Sequence, residues 1–268
     1  MTLIQETVGG LLRDWRHRRR FSQLDLAGEA EVSARHLSFI ESGRSSASRE
    51  MLIRLAERLD MPLRERNRLL LAGGYAPVHQ ERSLDAPDMV VARAAVDAVL
   101  AGHDPFPALA IDRHWTLIAA NGAVTSLLQG VAPELLAPPV NVLRLSLHPN
   151  GLAPRIENLA EWRHHLLERL RSQVAASWDP ILSELHRELS ALPARAGRTP
   201  ARPPNAVAVP LELRDPETGK VLSLLSTTTV FGTATDVTLS ELALECFYPA
   251  NAATRTVLLE RQRKEDPR

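Results

Sequence analysis

The 268-residue sequence is poor in cysteine and lysine: it contains one cysteine, Cys246, and two lysines, Lys220 and Lys264. One thiol cannot form an internal disulfide, and it is too few for a zinc or iron–sulfur site built on thiolates. The sequence also lacks an apolar run of the roughly 18 residues that a membrane helix needs, which excludes an integral membrane protein. We expect a globular chain whose length suits two domains.

Net charge is absent as well, because 32 basic residues balance 32 acidic ones. This balance argues against a protein that coats nucleic acid over its whole surface. One basic cluster suits either phosphate contact or a solvated helix end, and it contains Arg13, Arg16, His17, Arg18, Arg19 and Arg20. The first residues lack the order of a secretory signal, so we expect a cytoplasmic location.

Residues 1–76 have the capping residues and apolar spacing of five short helices. Ser22, Ser33 and Ser48 stand at N-cap positions, and Pro62 opens the last helix. The residues expected to face the core include Leu11, Leu12, Trp15, Leu24, Val32, Leu37, Ile40, Met51, Leu52, Leu55, Leu59, Leu69, Leu70 and Leu71. The pattern predicts an all-α first domain.

The remainder of the chain mixes helical and strand patterns. Residues 77–87 are polar and contain proline, which is typical of a linker, and residues 88–260 form the second predicted domain. We predict a five-stranded antiparallel sheet, with helices inserted between its second and third strands and packed on one face. The last predicted strand lies in DVTLSELALECFYP, residues 193–205 form a loose tract, and the charged residues 261–268 form a frayed tail.

The span from Ser22 to Gly43 has the pattern of a helix-turn-helix. Two helices of about eight residues flank a tight turn, and the second helix presents Ser33, Arg35, His36 and Ser38 outward. The N-terminal half of such a helix can read base edges in the major groove. A two-helix pattern is weak support by itself, and the order of five helices strengthens it.

Those five helices resemble the DNA-binding domain of xenobiotic-response-element-type (XRE) regulators, which has the fold of the lambda repressor domain. The resemblance implies that Gln23 binds phosphate and supports the base-reading residue. It places Ala34, Arg35 and Phe39 at base-facing positions, with Arg35 the best candidate for guanine. It places Ser33, His36, Ser42 and Arg44 near phosphate, and it makes Arg16 and Glu41 a structural ion pair.

Several of these residues have a second interpretation. His36 and Ser38 fit ordinary solvated surface equally well, and Phe39 fits packing within the domain or at a dimer contact better than contact with a thymine methyl group. Glu31 departs from the family pattern, because the turn usually has a glycine at this position.

The second domain resembles the MmyB-like regulators in the segments DRHWTLIAAN and NVLRLSLHPNGLAPRIENLAEWRHHLLERL. This resemblance implies a PAS-like ligand-binding domain that accepts a fatty-acid-like or other apolar molecule, with no further cofactor. The expected lining residues are Trp115, Leu143, Leu147, Trp162, Leu166 and Leu224. If the ligand is an acid, Arg144, His148 or His165 would answer its charge, although each also suits a structural role.

Enzyme motifs are missing, since the chain lacks HExxH, GxSxG and a glycine-rich phosphate loop. The adjacent His164 and His165 point about 100° apart on a helix, so no metal site is expected. We therefore expect a bacterial transcription regulator that binds operator DNA as a homodimer and senses an apolar effector. The alternative is a protein-interaction and dimerisation module without small-molecule sensing, and an enzyme using the cavity is a third interpretation.

Overall fold

The computed structural model describes residues 6–193 and 208–265. The chain divides into two compact units. The first consists of residues 1–83 together with 232–240, and the second consists of residues 84–231 together with 241–268.

The helices and strands follow one another in an order close to the predicted one. The helices are α1 Val8–Arg18, α2 Gln23–Glu29, α3 Ala34–Glu41, α4 Arg49–Arg58, α5 Leu63–Ala72, α6 Val90–Gly102, α7 Gly122–Leu127, α8 Pro133–Leu136, α9 Val142–Leu147, α10 Leu159–Ser177, α11 Pro180–Ala191, α12 Val237–Ser240 and α13 Ala252–Glu265. The strands are β1 Ala108–Ile111, β2 Leu117–Ala120, β3 Leu211–Arg214, β4 Val221–Val230 and β5 Ala243–Pro249.

Helices α1 to α5 form the N-terminal part of the first unit, as the capping pattern predicts. The hydroxyl oxygens of Ser22, Ser33 and Ser48 each accept a hydrogen bond from the third backbone N–H of the helix that follows. These bonds satisfy donors that helix starts leave unpaired. The fully buried core includes Leu12, Leu26, Leu37, Ile40, Leu52, Leu55, Leu59, Leu69 and Leu70.

Two of the expected core residues are exposed. Leu24 is 73% exposed and Leu71 is 57% exposed, so their assignment to the core was wrong. Residues two apart on a helix point about 200° away from each other. Since Leu26 and Leu69 take the buried positions, Leu24 and Leu71 must face outward.

The second unit contains the predicted five-stranded antiparallel sheet. Its strand order is β2-β1-β5-β4-β3, and helices α7 to α11 lie in the chain between β2 and β3. Thr228 pairs with Glu245 across β4 and β5. The core brings the inner face of the sheet against the inserted helices, with α10 contributing Trp162, Leu166 and Leu170.

The connection between β4 and β5 differs from the prediction. Residues 236–240, expected to begin the last strand, contain helix α12, and β5 starts at Ala243. Residues 232–240 belong to the first unit, as do residues 77–83 of the expected linker. There the Val237 N–H donates to the Gln80 carbonyl over 2.8 Å. This backbone hydrogen bond joins the two segments to each other.

The C-terminal part of the chain is helical where a frayed tail was expected. Helix α13 continues to Glu265, and its Val257 and Leu258 are buried in the second core. Arg261 forms an ion pair with Asp215, whose side chain is fully buried. Residues 266–268 of the expected tail, and most of the loose tract expected at 193–205, lie outside the described residues.

Candidate functional site

Helix α3 presents a polar surface that begins at its capped N-terminus. Ser33 and Arg35 are exposed, while Ala34 and Ser38 are half-buried. The Arg35 guanidinium lies 5.4 Å from the centre of the Phe39 ring, one helical turn away. A cation over an aromatic face is attracted to it, so Phe39 supports the arginine from the same helix.

A buried hydrogen-bond network holds this helix against α1 and α2. Arg16 donates to both oxygens of Glu41 over 2.7 and 2.9 Å, and Gln23 Nε2 donates to Glu41 Oε2 over 2.9 Å. Burial opposes ionisation of Glu41, but the hydrogen bonds from Arg16 and Gln23 outweigh it and lower the pKa of this carboxyl. The Arg16–Glu41 pair expected from the resemblance is therefore present, and Gln23 is joined to it.

The chain leaves α3 in a turn that exposes two further polar residues. Gly43 has a φ of +72°, a left-handed conformation that suits glycine, and the Arg44 N–H donates to the Phe39 carbonyl over 2.8 Å. The Ser42 hydroxyl donates to the same carbonyl over 3.2 Å. The side chains of Ser42 and Arg44 are exposed beside the C-terminal end of α3.

His36 is placed differently from its neighbours. Its backbone N–H is used by the Ser33 cap, and its Nε2 atom is buried without a hydrogen-bond partner among the described residues. That ring nitrogen cannot reach a phosphate in this conformation. The exposed polar groups on this surface are therefore Ser33, Arg35, Ser42 and Arg44, with Ser38 at its half-buried edge.

The second unit contains a mainly apolar cavity of about 110 Å³. Its walls come from strands β1 to β5, helices α7, α9 and α10, and the loops beside them. The lining residues are Pro107, Leu109, Trp115, Leu117, Val124, Leu127, Leu128, Val142, Leu143, Leu145, Ser146, Leu152, Trp162, His165, Leu166, Arg169, Leu211, Leu213, Leu224, Ser226, Glu245 and Phe247.

Two tryptophans on the cavity wall are fixed by hydrogen bonds. The indole N–H of Trp115 donates to Gln173 over 2.8 Å, and that of Trp162 donates to Ser146 over 2.9 Å. Trp115 also has a φ of +65°, which is costly for a bulky side chain. Backbone strain of this kind persists where the surroundings hold it, often at ligand sites.

The structure brings most of the residues predicted for a ligand site into this cavity. Six of the predicted residues line it, namely Trp115, Leu143, Trp162, His165, Leu166 and Leu224. Leu147 is buried in the surrounding core instead. Arg144 lies beside a separate polar hollow and pairs with Glu188 over 2.7 Å. His148 ends α9, and its Nδ1 accepts a hydrogen bond from the Asn150 N–H over 3.1 Å.

Sequence reasoning missed the two charged residues of the cavity, Arg169 and Glu245. The sequence contains an indication for each of these two residues. Arg169 lies one helical turn after Leu166, on the stripe that starts at Trp162, and Glu245 is an acidic residue inside the apolar run of β5. Charged residues on apolar elements usually have a partner or a function. Here they contact each other.

Two other kinds of site are absent from the described part of the chain. No cluster of three or more His, Cys, Asp or Glu side chains that could hold a metal ion occurs within residues 6–193 and 208–265. No helix among those residues is long and apolar enough to cross a membrane.

Comparisons with known proteins agree with both units. The sequence profile of the MmyB-like transcription regulator ligand binding domain matches residues 92–260, and that of a helix-turn-helix domain matches residues 7–69. No curated protein matches the chain. Two solved structures are similar only weakly. The clp gene regulator ClgR from Corynebacterium glutamicum is 24% identical with a TM-score of 0.23, over 39% of this chain and 97% of that one. An RNA-binding light-oxygen-voltage receptor is 14% identical with a TM-score of 0.25, over 95% of this chain and 62% of that one.

A helix-turn-helix unit followed by a ligand-binding domain defines a DNA-binding transcription regulator. The chain belongs to the family of MmyB-like transcription regulators, whose ligand-binding domain spans more than half of it.

Proposed function

We propose that the protein is a sequence-specific transcription regulator whose DNA affinity is set by an apolar small molecule bound in the second unit. The observation that carries this proposal is the presence, in one chain, of the exposed polar face of α3 and the mainly apolar cavity beside Trp115 and Trp162. In this proposal the protein acts in the cytoplasm, as an operator-bound homodimer.

On the DNA side, α3 enters the major groove. Arg35 is exposed in the first half of α3, where a guanidinium can donate two hydrogen bonds to guanine. Ser33, Ser42 and Arg44 border the helix and supply contacts to phosphate, together with the backbone amides at the start of α3. A homodimer would place two such helices about 34 Å apart on the operator.

On the effector side, the cavity offers apolar contact over most of its wall. Its leucines, valines, Phe247 and two tryptophans remove an apolar molecule from water, while a few polar groups fix its orientation. Binding changes DNA affinity only if the molecule prefers one arrangement of the protein over another. No catalytic step is part of this proposal.

The DNA proposal is tested with sequences selected from a random duplex library by the full-length protein. We expect R35A to lose about 1–3 kcal/mol of discrimination at one base position. We expect R44A to weaken binding to all sequences by a similar factor. It should also reduce the salt dependence of the binding constant by about one released counterion. R187A, which removes an exposed arginine from α11, is the matched control. Fluorescence anisotropy at several salt concentrations measures all three. DNA binding that changes neither with salt concentration nor in the R35A and R44A variants would favour the alternative, a protein-interaction and dimerisation module.

The effector proposal is tested by identifying the small molecules that remain bound to the purified protein. Full-length protein is denatured and extracted with organic solvent, and the extract is analysed by mass spectrometry. An apolar molecule present in stoichiometric amount supports the proposal. An empty extract, combined with no thermal stabilisation by any small apolar compound, would contradict it.

A further inference from the structure

Two charged residues of the cavity wall, Arg169 and Glu245, meet where α10 faces β4 and β5. Arg169 on α10 forms an ion pair with Glu245 on β5 and donates to the Thr228 hydroxyl on β4 over 3.1 Å. The Thr228 hydroxyl in turn donates to Glu245 Oε1 over 2.9 Å. Arg169 and Glu245 line the cavity, and Thr228 beside them is exposed.

The positive charge of Arg169 has two interaction partners. Its guanidinium contacts Glu245, and it also lies 4.5 Å from the centre of the Trp115 ring. The Glu245 side chain is only 5% exposed, so this carboxylate depends on Arg169 for its counter-charge. Removing the arginine from it would leave a buried anion unpaired, which is strongly unfavourable.

This pairing decides which ligand charge the cavity accepts. The arginine and the glutamate together carry no net charge, so an ionised ligand group meets one group of like sign. A carboxylate has to compete with Glu245 for Arg169, and an ammonium group placed at Glu245 is repelled by Arg169. An uncharged group needs neither partner to move.

A hydrogen-bond acceptor remains on the cavity wall. The contacts with Arg169 and Thr228 both use Oε1 of Glu245, and Oε2 receives no hydrogen bond from the described residues. A carboxylate oxygen at a nearly buried position is strongly stabilised by a donor. An alcohol O–H or an amide N–H on a ligand supplies one without adding charge.

We propose that the effector of this regulator is an uncharged molecule with an apolar body and one hydrogen-bond donor, and that the donor binds Glu245 beside Arg169. The proposal rests on the proposed effector cavity, and it selects against the fatty acid that the family resemblance implies. The size of the cavity agrees with a compact molecule, since about 110 Å³ is below the roughly 150 Å³ of an engineered cavity that binds benzene.

Three probes with the same hexyl chain test the head-group preference. Full-length protein is titrated at pH 7.5 with 1-hexanol, hexanoate and hexylammonium by isothermal calorimetry, with tryptophan fluorescence reporting on Trp115 and Trp162. We expect 1-hexanol to bind at least about tenfold more tightly than either ion, because each ion meets a like charge.

The variant E245Q separates charge from shape. Its amide keeps an acceptor oxygen and removes the negative charge, so Arg169 becomes free to bind a carboxylate. We expect hexanoate to gain at least about tenfold on this variant, whereas 1-hexanol should bind more weakly, because an amide oxygen accepts a weaker hydrogen bond than a carboxylate does. E188Q is the matched control, because Glu188 also pairs with an arginine, Arg144, but does not line the cavity.

The outcomes distinguish this inference from the proposed function. Tighter binding of hexanoate than of 1-hexanol to the unmodified protein would overturn the inference and leave an apolar effector in place. An E245Q preference identical to that of the unmodified protein would also overturn it. If none of the three probes binds, the inference fails, and the extraction experiment decides separately whether the cavity holds an apolar effector. The unmodified protein alone gives the first comparison, even if E245Q does not fold.

Discussion

Glu31, at the turn between α2 and α3, has a backbone conformation that favours glycine. Its φ is +54°, and the hydrogen bonds from Glu31 N–H to Gly28 and from Val32 N–H to Ala27 form a Schellman motif after α2. The family pattern has glycine here, and the structure shows the same left-handed backbone with a glutamate. A left-handed conformation costs a residue with a Cβ atom about 1–2 kcal/mol.

We therefore expect E31G to stabilise the protein by up to about 1 kcal/mol, after allowing for the greater freedom of glycine in the unfolded chain. Urea unfolding measures the change. E29G is the control, because it removes the same charge from the last residue of α2, where glycine should destabilise by about 0.5–1 kcal/mol. Equal effects of the two substitutions would show that charge, and not backbone conformation, matters at this turn.

Glu41 makes the stability of the first unit depend on pH. The pKa of Glu41 is lower in the folded protein than in the unfolded chain, so the unfolded state binds its proton more tightly. Its contribution is fully present above the unfolded pKa, about 4.3, and is lost as the pH falls through the folded pKa.

We expect E41Q to be less stable than the unmodified protein at pH 7, because Arg16 then lacks a counter-charge at a side-chain exposure of 9%. Below pH about 4.3 the difference between the two proteins should shrink, since protonation removes the same charge from Glu41. Urea unfolding from pH 3 to 7 checks this. A constant difference across that range would contradict the assigned role of Glu41.

Between elements, the packing of α1 on the end of α3 depends on Gly9. A Cβ atom at this position would lie 2.5 Å from the Glu41 carbonyl oxygen and 2.7 Å from that of Ile40. Both are backbone atoms and cannot rotate away, so α1 would have to move. A Cβ atom added at Gly28, on α2, would meet only open space.

We expect G9A to destabilise the protein by about 1–3 kcal/mol, as overpacking does. G28A should instead stabilise it by about 0.5–1 kcal/mol, because alanine is the better helix former. Thermal unfolding of the two variants provides the comparison. A G9A protein as stable as G28A would mean that α1 and α3 are not held at the observed distance.

The sequence predicts elements well where local chemistry sets their limits. Serine caps and proline define α2 to α5, and the limits of α9 agree with the predicted Val142 to Leu147. Prediction from the sequence fails where tertiary contacts determine the secondary structure. The residues of α12 have a strand-like pattern but form a helical turn in the first unit, and charged α13 is anchored by the Arg261–Asp215 pair. Neither contact is visible in a local pattern.

At the scale of the whole molecule, the same limit applies to the two sites. The positions of Arg35 and Ser33 on α3 follow from helix limits and spacing, which the sequence contains. The Arg169–Glu245 pair joins residues 76 positions apart, and the pairing depends on how α10 packs over β5. Spacing within either element cannot reveal that contact, so the proposed charge preference of the cavity rests on the structure alone.

The β4–β5 connection links the two units through the chain itself. Residues 232–240 belong to the first unit, where Asp236 is 3% exposed and its Oδ2 lies 3.0 Å from Arg82 Nε. The chain runs from this segment directly into β4 and β5, which carry Leu224 and Glu245 of the cavity. If the proposed effector shifts these strands, it would act on a segment that belongs to the helix-turn-helix unit.

We expect D236A to weaken the effect of the effector on DNA affinity while leaving each binding reaction largely intact. Coupling energies between sites are typically 1–3 kcal/mol, and the loss of this ion pair should remove about 1 kcal/mol or more. The measurement is operator affinity by anisotropy with and without saturating 1-hexanol. E184A, which breaks an exposed ion pair on α11, is the control. A D236A protein whose operator affinity still responds fully to the ligand would show that the coupling does not depend on this ion pair.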